Sequence, residues 1–111
     1  MSTPTQSAAL GWTSVRLLTI IAERLLKDRI LHHLDQLGVS GYTVMDSAGR
    51  GARGLIVDEW QGDNVEIQVL APRESIDRVA QRLRERYFEH HSIVLYAQDV
   101  DVLRPAKYGE R

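Results

Sequence analysis

Residues 15–22 (VRLLTIIA) constrain the fold most. They are rich in branched side chains and apolar on nearly both faces of an extended strand. Val15, Leu17 and Ile21 lie on one face, with Leu18, Ile20 and Ala22 on the other. A half-exposed antiparallel strand alternates more cleanly, so this strand needs cover on each side. At 111 residues the chain is the size of one domain, and a domain this small leaves much of its surface wet. Burial between subunits is the simplest source of the second cover.

The remaining periodicities set the order of elements. Residues 25–37 predict an amphipathic helix, with Leu26, Ile30, Leu34 and Leu37 inside about 80° of arc. Gly38 follows where a glycine ends a helix. Residues 41–46 (GYTVMD) read as a second, short strand. Residues 47–63 hold Gly49, Gly51, Gly54 and Gly62 and read as a long loop, a kind usually functional or disordered in a small domain. Residues 64–71 alternate with period two, placing Val65, Ile67, Val69 and Ala71 on one face. Pro72 suits a first helical turn. The second helix runs to about residue 88, with a stripe of Ile76, Val79, Ala80, Leu83 and Tyr87 and an expected Glu74–Arg78 pair. Residues 93–103 form a last, long strand.

An echo at an offset of 49 relates the two halves: Leu18 to Ile67, Ile20 to Val69, Asp28 to Asp77 and Leu34 to Leu83. Right-handed crossovers then give an α+β, ferredoxin-like βαββαβ arrangement, a four-stranded antiparallel sheet with two helices on one face. Residues 1–14 are expected to be a flexible N-terminal tail that Trp12 tacks onto the domain, and residues 105–111 a C-terminal tail. The start lacks signal-peptide features, and no window approaches the roughly 18 apolar residues of a membrane span. The expectation is a cytoplasmic protein without direct membrane insertion.

Composition removes several function classes. There is no cysteine, hence no disulfide, thiolate chemistry or Cys-type zinc site. A net charge of −1 argues against a nucleic-acid coat. The basic residues are 12 Arg and 2 Lys, a bias toward gripping planar oxyanions or forming partly buried ion pairs.

Gly49-Arg50-Gly51-Ala52-Arg53-Gly54 spells GxGxxG after a strand. A dinucleotide fold needs those glycines to open a helix; residues 55–63 leave no room for one. Glycine amides can still bind an anion, with Arg50 and Arg53 adding a charged fork. The same run also suits a surface loop with two solvated arginines, and composition leaves both readings open.

The longer string GYTVMDSAGRGARG (41–54) resembles the PII-like signalling proteins, in particular the branch found beside bicarbonate transporters and carboxysomes. Element order agrees over about residues 15–104. The resemblance implies a homotrimer whose sheets line the centre, with adenine nucleotides bound in clefts between subunits. Residues 47–63 would be the T-loop, which changes shape with ligand and engages a partner. Thr43 would lie near the adenine, Gly49 and Gly51 would offer amides to phosphate, and Arg50 and Arg53 would pair with phosphate or a small oxyanion. Residues 88–92, including His91 and Ser92, occupy the place of the B-loop, which closes the cleft from the neighbouring subunit. Arg104 could reach phosphate. Arg53 stands near where standard PII proteins have the Gln that helps bind 2-oxoglutarate with magnesium. Ser92-Ile93 stands where they have Gly-Lys for the outer phosphates. These departures favour ADP or AMP, with ATP and cyclic AMP retained, and bicarbonate is a candidate co-ligand. The implied partner is a bicarbonate transporter or carboxysome-related protein. Trp60 suits a partner-binding anchor, since Trp is enriched at interface hot spots, and equally suits a side chain folded back onto its own domain. The role is regulatory, not enzymatic.

Other groupings are read more plainly. His32-His33 and His90-His91 lack chelating spacing and read as solvated or interface side chains. Asp99 and Asp101 share a strand face and suit an ion pair with Arg. The charges of the second helix read as a solvated face. Rival readings are an acylphosphatase, which needs a glycine-bearing phosphate loop where Glu23-Arg24-Leu25 stands, and a ferredoxin-like RNA-binding module, which needs stacking aromatics on its central strands. A metal-tolerance module on the same fold is the third.

Overall fold

The computed structural model describes residues 10–46 and 64–104. The elements are β1 (Thr13–Glu23), a short 3-10 turn at Arg24–Leu26, α1 (Lys27–Gln36), β2 (Tyr42–Asp46), β3 (Asn64–Ala71), α2 (Arg73–Tyr87) and β4 (Ile93–Val102). The strands form one sheet in the order β2-β3-β1-β4, every neighbouring pair antiparallel. This is the ferredoxin-like split βαβ arrangement that the order of elements predicts.

β1 is central. It pairs with β3 from Arg16 opposite Ala71 to Glu23 opposite Asn64. On its other side it pairs with β4 from Thr13 opposite Val102 to Ala22 opposite Ile93. Leu18, Ile20 and Ala22 join Val65, Ile67, Val69 and Ala71 in one core with Leu26, Ile30 and Leu34 and with Ile76, Val79 and Leu83. Both helices therefore cover the same face of the sheet. Each fully buried aliphatic side chain there contributes roughly 1.5–3 kcal/mol relative to exposure.

The other face of β1 is buried at Val15, Thr19 and Ile21. Around them the face is less well covered. Tyr96, opposite Thr19, is 51% exposed, and Met45, opposite Glu66, is exposed as well. The doubly apolar strand thus has a packed helix side and a second side that one chain leaves partly open.

Helix ends follow local chemistry. Gly38 adopts φ +78, and the Val39 N–H donates to the Leu34 carbonyl at 2.9 Å, closing α1 with a Schellman-type cap. The first helix is shorter than expected, because residues 24–26 form the 3-10 turn. Pro72 caps α2 in extended conformation instead of entering its first turn, and its carbonyl accepts the N–H groups of Ser75 and Ile76. Arg78 reaches the Ser75 hydroxyl at 3.3 Å, not the expected Glu74. Among the described residues no helix is long and apolar enough to cross a membrane.

Candidate functional site

Strand register gathers several chain segments at one end of the sheet. Ile93 opens β4 opposite Ala22, Asn64 opens β3 opposite Glu23, and Asp46 closes β2 opposite Val65. The strand ends that bracket residues 47–63 and the 88–92 connection therefore lie at the same end. β2 and β4 are three strand spacings apart, about 14 Å.

A polar chain runs inward from this end. Glu23 sits at the cap position of the 3-10 turn, yet its side chain makes no capping hydrogen bond. Its Oε2 accepts the Ser92 backbone N–H at 3.4 Å, and its Oε1 lies 3.8 Å from His91 Nδ1. The His91 N–H donates to the Tyr87 carbonyl at 3.0 Å. The His91 ring stands edge-on to the Tyr87 ring with centroids 5.8 Å apart. The Tyr87 hydroxyl is 2.9 Å from His33 Nε2, and Arg82 lies 3.1 Å from His33 Nδ1 and 3.3 Å from Gln36 Oε1.

The proton positions in this chain follow from donor chemistry. A guanidinium only donates, so His33 Nδ1 must accept and carry no proton. The neutral ring then holds its hydrogen on Nε2 and donates it to the Tyr87 oxygen. Burial pushes the His33 pKa down, and the positive charges of Arg82 and Arg86, with His32, push the same way. His33 is only 6% exposed; the expectation of a solvated or interface histidine does not hold for it. Beside the chain, Asp28, Arg29, His32, His33, Arg86 and Tyr87 line an open surface groove of about 520 Å³.

The predicted site residues divide by position. His91 and Ser92 stand at the gathered end, His91 against Glu23 and Tyr87. Thr43 is exposed on β2 opposite Gln68, three residues or about 10 Å from the end of its strand. Arg104 lies past the far end of β4, whose ten residues separate it from Ser92 by roughly 33 Å. One chain does not bring Arg104 to the others. Gly49, Arg50, Gly51, Arg53 and Trp60 lie outside the described residues.

At the far end of the sheet Asp99 accepts from Arg16 at 2.7 Å and from Arg73 at 3.4 Å. This is the carboxylate–arginine pairing expected of that strand. Among the described residues no group of three or more His, Asp or Glu side chains is placed to hold a metal ion. Sequence reasoning missed Glu23 and the supporting roles of Tyr87 and His33.

Comparison with known proteins is consistent with this geometry. The family model described as nitrogen regulatory protein P-II matches residues 15–107. A PII-like signalling protein of Thermus thermophilus is 36% identical, with a TM-score of 0.73, covering 87% of this chain and 97% of that one. CPII of Thiomonas intermedia K12 bound to ADP, AMP and bicarbonate is 26% identical, with a TM-score of 0.74, covering 91% of this chain and 99% of that one. The same protein bound to ADP, AMP and acetate is 27% identical at TM-score 0.74, covering 89% and 98%. On the match of sequence and fold together, the chain belongs to the nitrogen regulatory protein P-II family.

Proposed function

We propose that this protein is a non-enzymatic, cytoplasmic PII-like signal transducer. In this reading it binds an adenine nucleotide in the clefts of a homotrimer and regulates bicarbonate uptake or a carboxysome component. The observation that carries the reading is the likeness, over most of the chain, to CPII bound to ADP, AMP and bicarbonate. The gathered end of the sheet supports it. There the 88–92 loop and the end of β2 at Asp46 share one end of the sheet, with the Ser92 hydroxyl and the His91 ring as polar groups that suit a phosphate or the edge of a base.

The roles divide as follows. Gly49 and Gly51 offer backbone N–H groups to phosphate, and Arg50 and Arg53 supply the positive charge. A planar bicarbonate suits the same guanidinium fork. Thr43 faces the adenine. Arg104, at the opposite end of its own sheet, joins a site only across a subunit boundary. That boundary would also cover the partly open face around Thr19, Ile21 and Tyr96. Trp60 anchors the partner protein, whose contact changes when ligand reorders residues 47–63.

Calorimetric titration with ATP, ADP, AMP and cyclic AMP, with and without bicarbonate, tests this directly. ADP or AMP is expected to bind well below millimolar concentration. Mass in solution is expected at three times the 12.6 kDa chain. Absence of binding by all four at millimolar ligand, or a monomeric mass, contradicts the reading.

A further inference from the structure

The gathered end carries an acid whose position the nucleotide reading does not use. A short acid such as Asp at a helical cap ordinarily accepts an N–H of the turn it precedes. Glu23 does not. Its carboxylate, one-third exposed, turns across the sheet end to Ser92 N–H and His91 Nδ1 instead. Two consequences follow. The Ser92 N–H already has an acceptor within the chain and is not a vacant donor for an anion. A fixed negative charge also stands within a Debye length, about 8 Å, of any group held by the Ser92 hydroxyl or the His91 ring. An anion seated there meets repulsion that grows with its charge.

We propose that Glu23 is the specificity-determining residue of the 88–92 loop. By occupying the Ser92 N–H and setting its charge beside His91, it disfavours nucleotides carrying more phosphate. This rests on the adenine-nucleotide reading above. AMP and ADP are the ligands such a loop accepts best, and ATP is the one it penalises. The carboxylate also fixes the loop to the end of β1, so it positions the two side chains offered to the ligand.

Two variants separate charge from contact. Glu23→Gln keeps a side-chain carbonyl that can accept the Ser92 N–H and removes the charge. Glu23→Ala removes both. AMP, ADP and ATP are titrated by calorimetry into the full chain and each variant without divalent cation, at low and high salt. Amide hydrogen exchange at Ser92 is read in the ligand-free proteins. In Glu23→Gln the ATP-to-AMP affinity ratio is expected to rise about three- to tenfold at low salt and less at high salt. Ser92 exchange should stay near the wild-type rate. In Glu23→Ala the ratio rises similarly, and Ser92 exchange accelerates by about fivefold or more. An unchanged ratio in Glu23→Gln, with all three nucleotides binding, overturns the role of Glu23 alone. Unchanged Ser92 exchange in Glu23→Ala overturns the contact. A wild-type protein that binds none of the three overturns the nucleotide reading and this inference together.

Discussion

The two ends of the sheet each hold a carboxylate, and the two do different work. At one end Asp99 accepts from Arg16 and Arg73 with its side chain 60% exposed. At the other, Glu23 accepts a backbone N–H and faces His91, which leans on Tyr87, which in turn is hydrogen-bonded to buried His33. The Asp99 cluster has better distances but sits in water, where attraction is screened and side-chain ordering offsets most of the gain. The Glu23 chain has longer contacts, yet it connects a loop to the packed helix pair. Geometry alone does not rank two ion clusters; what lies behind each one does.

The largest expected contrast is in the support behind Glu23. Tyr87→Ala removes a buried ring from the core and should cost about 3–5 kcal/mol, read from urea unfolding. A loss below about 1 kcal/mol would mean the ring is not a packing element. Tyr87→Phe keeps the ring but strands the His33 Nε2–H, and should cost about 1–3 kcal/mol.

The same histidine makes stability depend on pH. The folded-state pKa of His33 is lowered below its ordinary value of 6.5, so the unfolded chain binds the proton more readily. Its contribution is therefore complete above 6.5 and is lost as pH falls from there toward the lowered folded value. Urea midpoints compared at about pH 7.5 and about pH 5.5 should show the wild type losing more stability on acidification than His33→Gln. Equal losses would remove His33 as the cause. At the opposite end, Asp99→Ala should cost only about 0–1 kcal/mol, and less in high salt. A larger loss there would erase the contrast between the two ends.

Much of this was legible in the sequence. Period-two alternation at 64–71 and the apolar stripe of the second helix place those elements to within a residue or two. Gly38 marks the end of α1 because only a left-handed residue closes that cap easily. The double apolarity of β1 predicts two covered faces; the helices cover one, and the other is buried at Val15, Thr19 and Ile21 but partly open around them. The misses have a common physical cause. Glu23 and Ser92 are 69 positions apart, and nothing local in an acid that ends a strand names its partner. His33 lies at the edge of an apolar stripe, so periodicity does not decide whether it turns inward. The separation of Arg104 from Ser92 follows from a ten-residue extended strand, but it becomes meaningful only when Ser92 is fixed at one end of that strand.

Ligand is expected to bind at the Glu23 end, through the 88–92 loop. Titrating ADP into isotope-labelled protein and following backbone amide signals tests this most directly. The prediction is saturable shifts at His91 and Ser92 that track the calorimetric affinity. Saturable ADP binding that leaves residues 88–92 unmoved would contradict it.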